Sequence, residues 1–323
     1  MARFVIDESS FAQVRASEVE SSLKRFCLTI SYLQKKSFQV ESSDKIYDTT
    51  IGGAPLLQIM YEPDKLDRDL QLLLLTSIER ISPTDFNTQH NTLGEMEISP
   101  INKTLDQPDT KRKANSEGLK YITKLTTQNK NLAVGCITCV EPSGLCTLTT
   151  TSRTPQNVHF ILGRSCLLEF FRYIPEVENY NILEYMEAAT LAFPSLYFAE
   201  GLTQQVRRFK TSWPLIRPHI TQHLSALNDH FTSIYEDENF QPDNVKKRFK
   251  AHTNIIISPE SPNTRKNRSA WEERRITVEG HSLHCEWHTK IFKTHDRIHF
   301  HPGSPKVVSG RLIVGIFTSH LST

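Results

Sequence analysis

Apolar positions recur at three- and four-residue spacing early in the chain and at two-residue spacing late in it. Leu66, Leu70, Leu73, Leu74, Ser77 and Ile81 fall on one helix face. Leu72 and Leu75 widen that face, so this helix is expected to be well buried. Asp64, after Pro63, is in place to cap it, and Pro83 stands just beyond its end. On this pattern residues 1–82 read as a mostly helical region. Residues 83–131 are rich in Ser, Thr, Asn, Gln, Asp and Lys, with Pro83, Pro100 and Pro108. They read as a polar linker or loop and as the domain boundary.

Residues 132–250 read as a central α+β domain. Leu132–Val140 and Cys146–Thr150 flank the turn Glu141-Pro142-Ser143-Gly144, and Val158–Leu162 is a third strand. Helices are expected over 164–174, 181–193 and 201–213, each ending at a proline, and over 217–236. Residues 251–323 read as a histidine-rich antiparallel region. Its strands are Ile255–Ile257 and residues 274–279, 282–292, 297–301 and 311–318. The run Arg311–Phe317 is continuously apolar from its second residue and is expected at the buried centre of the sheet. The fold class that follows is α+β.

Hydrophobic residues make up 38% of the chain and charged residues 23%, which fits a packed core and excludes a disordered or fibrous chain. No apolar run approaches the ~18–20 residues of a membrane helix. The N-terminus lacks the apolar stretch of a signal peptide, so a cytoplasmic protein with no membrane partner is expected. The six cysteines then read as reduced thiols. Cys136, Cys139, Cys146 and Cys166 admit a zinc reading. However, a strand through Val134–Val140 puts the first two on opposite faces and favours small buried residues. P-loop, dinucleotide-binding, His-Glu-x-x-His and Gly-x-Ser-x-Gly motifs are absent. No cofactor is expected.

The net charge of +2 conceals an asymmetry. Residues 246–323 hold 14 Lys/Arg against 6 Asp/Glu, a net +8, which leaves −6 on residues 1–245. Such polarity suggests a polyanionic partner. Lys246, Lys247, Arg248, Lys250, Arg265, Lys266 and Arg268 are the candidate nucleic-acid contacts. A solvated basic face is the alternative. The loop Ser258–Asn267 presents Asn, Thr, Arg and Lys donors and reads as a phosphate-gripping or simply exposed loop.

Six of the 13 histidines fall between residues 281 and 301. Alternation along 282–292 puts Leu283, Cys285, Trp287, Thr289 and Ile291 on one face and His284, Glu286, His288 and Lys290 on the other. Arg297, His299 and His301 share the polar face of the next strand, and Lys293–Asp296 is short enough for a hairpin loop. His320, after the last strand, is in place to return to that face. Imidazoles exchange protons near neutral pH, and Lys and Arg hold phosphate. That inventory fits a metal-independent ribonuclease with His288, His299, Lys290, Arg297, Glu286, His301 and His320 as candidate catalytic residues. A metal site on His299-x-His301 with His288 or Glu286 is a second reading. A solvent-facing polar sheet is a third.

Glu286-Trp287-His288-Thr289-Lys290, then Arg297–His301, then Ile313–Leu321 resemble the C-terminal signature of uncharacterised bacterial proteins, some of them linked to phage defence. The same segments are similar to RelE-type messenger-RNA-cleaving toxins. The resemblance implies functional roles for His288, Lys290, Arg297, His299 and His320. The function expected is a nucleic-acid-acting effector, a ribonuclease-like toxin of a bacterial defence system, with RNA the favoured partner. The alternatives are a binding or scaffold subunit of a defence complex and a metal-dependent hydrolase.

Overall fold

The computed structural model describes residues 2–322 apart from Pro63 and residues 87–93, 102–110 and 151–152. The chain divides into two units at Asn179/Tyr180. No helix among the described residues is long and apolar enough to cross a membrane.

Phe4, Val5 and Ile6 are consecutive apolar residues with no exposed surface. A strand covered on both faces has that pattern, and Arg3–Ile6 forms β1 of the first unit. The other strands of its sheet are β2 (Val40–Ser42), β3 (Ser82–Pro83), β4 (Met96–Pro100), β5 (Arg112–Ala114), β6 (Val134–Ile137), β7 (Gly144–Thr150) and β8 (Arg153–Ile161). Their order is β3-β2-β1-β6-β8-β7-β4-β5. Pairs from β3 to β8 are parallel, and those from β8 to β5 are antiparallel. Parallel neighbours need long crossovers. Here α1 (Val19–Lys35) joins β1 to β2, α2 (Arg68–Glu79) precedes β3, and α3 (Glu117–Gln128) precedes β6. Helix α4 (Arg164–Val177) follows β8. The chain winds one way from β1 and the other way from β6. That is a topological switch point, where the carboxyl ends of an open sheet leave a crevice.

Helices make up most of residues 1–82, but the helical reading omits strands, because β1, β2 and the first residue of β3 lie there. Strands of two or three residues are too short to show alternation. The helix expected to end at Ile81 is α2, with Leu70, Leu74, Ser77 and Ile78 buried. Its cap is Asp67 rather than Asp64, since the Asp67 carboxylate accepts from Asp69 N at 3.0 Å and Leu70 N at 3.2 Å. The stretch read as a linker contributes β4, β5 and α3 to the first unit. Residues 87–93 and 102–110 of that stretch lie outside the described residues.

The second unit contains β9 (Leu196–Phe198), β10 (Ile257–Pro259), β11 (Arg275–Val278), β12 (His281–His284), β13 (Trp287–Lys290), β14 (Arg297–His301) and β15 (Leu312–Thr318). The main sheet runs β9-β15-β14-β13-β10 and is antiparallel except for the edge pair β9–β15. Every residue of β15 is buried, as its apolar run predicts. Helix α5 (Trp213–Ala226) continues through a π turn, Leu227–Phe231, to Asp237. Within that turn Phe231 packs edge-on against Phe300 at 4.9 Å and Trp287 at 5.7 Å between ring centroids. These contacts cover one face of the hairpin β13–β14.

The single strand expected over 282–292 is interrupted at Cys285 and Glu286. β12 pairs with β11, while β13 belongs to the main sheet. Cys285 N donates to Arg274 O at 2.9 Å. Gly315 on β15 leaves room for Cys285, because a Cβ at that position would run into its Sγ. Residues 201–213, expected as one helix, form two short turns, Leu202–Gln205 and Val206–Arg208.

Candidate functional site

The hairpin register places Trp287 opposite Phe300, His288 opposite His299, Thr289 opposite Ile298 and Lys290 opposite Arg297. Cross-strand partners share a sheet face. His288, His299, Lys290 and Arg297 therefore stand together, as alternation predicts. β10 runs beside β13 with Ser258 opposite His288. Glu260, two residues further on, comes to the same side, held by its N–H on Glu286 O at 2.8 Å.

Three of these side chains meet. Glu260 Oε1 lies 3.2 Å from His288 Nδ1 and 3.3 Å from His299 Nδ1. The two imidazole centroids are 5.1 Å apart. Arg274 Nε is 3.0 Å from the same oxygen, while its Nη1 donates to Ala270 O at 2.6 Å. Of the three nitrogens, only His288 Nδ1 is aligned with Glu260 for a hydrogen bond. His299 has no exposed surface, and neither of its ring nitrogens has a hydrogen-bond partner. Among the described residues, Glu260, His288 and His299 are the one group of three ligand-type side chains close enough to share a metal ion.

Burial dominates the electrostatics. It pushes the His299 imidazole down to about 4, with Glu260 opposing and the neighbouring His288 adding to the shift. Burial also lowers His288, against the pull of Glu260, and the positive charges of Arg297 and Lys290 lower it further. For Glu260, burial alone would raise the carboxyl, but His288, His299 and Arg274 gathered on it hold it well below the usual range. At neutral pH the cluster is a carboxylate, two neutral imidazoles and a guanidinium.

Lys290 and Arg297 form the more open end of this array. Both are partly exposed, and neither has an ion-pair partner among the described residues. Arg297 Nε has no hydrogen-bond partner. The polar face is thus a buried floor with a cationic edge, rather than the solvent-facing surface of the third reading.

Other candidates stand apart from the floor. Glu286 pairs with Arg265 at 3.0 Å, and His301 Nδ1 accepts from Gly303 N at 3.0 Å. His320 is exposed. His284 stacks on Trp271 with centroids 4.5 Å apart. The basic stretch is partly self-neutralised. Lys246 pairs with Asp243 at 2.8 Å, and Arg248 with both Asp237 and Glu238 at 2.9 Å. Lys247, Lys250, Lys266 and Arg268 are exposed.

Sequence reasoning missed Glu260 and Arg274. The available signal was the apolar run Ile255–Ile257, which leads into β10 (Ile257–Pro259) and so carries Glu260 against β13. It also missed a buried polar group where β1 ends in the first unit. There Asp7 takes a 2.5 Å ion pair from Arg112 Nη2, and both side chains are almost wholly buried. Glu8 accepts from Gly118 N at 3.1 Å, at the start of α3, and from Ser43 Oγ. Burial raises the Glu8 carboxyl. Phe4-Val5-Ile6 running into Asp7-Glu8 was the overlooked sign of a strand with acids at its carboxyl end. A cavity of about 630 Å³ opens at the carboxyl end of β8, between Arg25 and Tyr32 of α1 and Gly163–Leu167 at the start of α4.

Cys136, Cys139 and Cys146 are buried, as the small-residue reading expects, whereas Cys166 is partly exposed. Cys136 and Cys146 lie in the core with Val5 and Phe160. Burial pushes the Cys139 and Cys146 thiols up to about 12.

No protein-family model, curated protein or solved structure matches the chain.

Proposed function

We propose that the second unit binds nucleic acid and acts on its phosphodiester backbone. The observation that supports this reading is the cross-strand array, with His288 opposite His299 and Lys290 opposite Arg297 on one face. Among the described residues neither Lys290 nor Arg297 holds a salt bridge that must be released before taking a phosphate, although Glu260 attracts Arg297 at longer range, and charge-assisted hydrogen bonds to phosphate are the strong kind. The exposed Lys247, Lys250, Lys266 and Arg268 add positive charge, whereas Lys246, Arg248 and Arg265 are held by acids of the unit itself. RNA is the favoured substrate. Its 2′-hydroxyl supplies the nucleophile, so the protein needs only to hold the phosphate, move protons and stabilise developing charge. A toxin of a bacterial defence system is the setting we propose, on the resemblance of residues 286–321.

One observation favours a second reading. His299 has no exposed surface, and a site that cannot admit substrate to its floor grips without turnover. Cleavage and binding of labelled RNA, single-stranded DNA and duplex DNA by the full chain separate the two. Under the first reading the protein cuts RNA, and Lys290→Gln with Arg297→Gln abolishes both cutting and tight binding. Binding without cutting selects the second reading. Absence of both refutes the two together.

A further inference from the structure

We propose that Glu260, His288 and His299 form a binding site for one divalent first-row transition ion, with Zn²⁺ the ion to test first. The separations carry the argument. A tetrahedral ion with bonds of about 2.0 Å holds its ligand atoms about 3.3 Å apart. Glu260 Oε1 stands 3.2 Å from His288 Nδ1 and 3.3 Å from His299 Nδ1. Two imidazoles and one carboxylate form a ligand set that borderline-soft divalent ions take.

His299 supplies an independent observation. It is fully buried, yet neither ring nitrogen has a hydrogen-bond partner. Buried polar atoms in folded proteins are almost always satisfied, and an exception calls for an explanation. An ion coordinated by one nitrogen provides the missing interaction for that atom.

Arg274 is the opposing feature, because its Nε lies 3.0 Å from the same carboxylate oxygen. A carboxylate has two oxygens and about four lone-pair sites, so one group can keep the guanidinium and still give a lone pair to an ion. Arg274 also fixes the acid in place, held in turn by its hydrogen bond to Ala270 O. The ligands come from three neighbouring strands or their ends. β13 and β14 provide the histidines, and the end of β10 provides the acid. This site differs from the metal set expected from sequence, since His301 and Glu286 take no part in it.

The site stands independently of the nucleic-acid reading. The role of the ion, as a Lewis acid beside a phosphate held by Lys290 and Arg297, rests on that reading. Metal content is measured without nucleic acid, so the two fail separately. The full chain is stripped with a chelator, checked for retained circular dichroism, and titrated with Zn²⁺ and, in parallel, Co²⁺. One equivalent of Zn²⁺ per chain and a visible d–d spectrum of low-symmetry Co²⁺ are expected. His299→Ala and Glu260→Gln weaken binding by more than the roughly 10–100-fold that loss of an outer partner costs. His281→Ala, an exposed histidine of the same unit, binds as the parent does. If a variant fails to fold, the parent titration still decides. Failure of the folded parent to take up either ion, or equal uptake by folded His299→Ala, overturns the proposal.

Discussion

His288 stands directly opposite His299 across an antiparallel pair, with ring centroids 5.1 Å apart and both Nδ1 atoms near one oxygen of Glu260. The next pair on that face, Lys290 and Arg297, turns a buried cluster into one with a charged edge. His288, His299, Lys290 and Arg297 are placed by strand register rather than by loop conformation, and strand register gives a rigid arrangement. The consequences can be measured.

The cationic edge predicts a salt signature. Each phosphate neutralised by a cation adds about 0.9 to the slope of log affinity against log salt on duplex DNA, and about 0.7 on a single strand. Replacing Lys290 and Arg297 with Gln lowers the slope on single-stranded RNA by roughly 1.4. Fluorescence anisotropy over a salt series measures it. An unchanged slope with weaker binding would show that these residues act on structure and not on phosphate.

His159 gives the first unit a pH response. It lies on β8, is 3% exposed, and is pushed down to about 4 by burial, against a hydrogen bond to Cys166 O that favours the charged form. In an unfolded chain the imidazole titrates near 6.5. The unfolded state therefore takes up the proton first as pH falls. The stability contribution is complete above about pH 6.5 and is lost progressively toward pH 4. The loss is on the order of 3 kcal/mol. Denaturant unfolding at several pH values should show His159→Gln losing less stability over this window than the parent. Parallel curves would rule out His159 as the source.

Much of the second unit was legible because its strands alternate cleanly. The two faces of β13 and β14 and the hairpin between them follow from period two, and the buried β15 follows from its continuous apolar run. Three features were not legible. The break at Cys285 and Glu286 leaves alternation intact, so nothing marks it locally. Glu260 lies 28 residues before His288, in a Ser- and Pro-rich stretch that reads as a loop. The meeting of the buried His288 and His299 with Glu260, which Arg274 also holds, is a long-range fact. In the first unit, strands as short as Ser82–Pro83 carry no periodic signal, and a parallel sheet lacks the hairpin turns that reveal antiparallel ones.

Asp7 and Arg112 should behave as a coupled pair. Both side chains are nearly free of solvent, 2.5 Å apart. Removing one partner of a buried pair strands the other charge at a cost of about 3–5 kcal/mol. Arg112→Met should therefore destabilise strongly, and Asp7→Asn added to it should recover part of the loss. A double-mutant cycle by denaturant unfolding provides the test. Additive losses would show that the two charges do not interact.

The most direct test of the central claim is incubation of the purified full chain with end-labelled RNA, beside folded Lys290→Gln/Arg297→Gln and His288→Ala variants. The account predicts that the parent cuts the RNA, that the double variant neither holds nor cuts it, and that His288→Ala holds it without cutting. An unaltered parent reaction in the double variant, or a parent that neither binds nor cuts RNA or DNA, would contradict it.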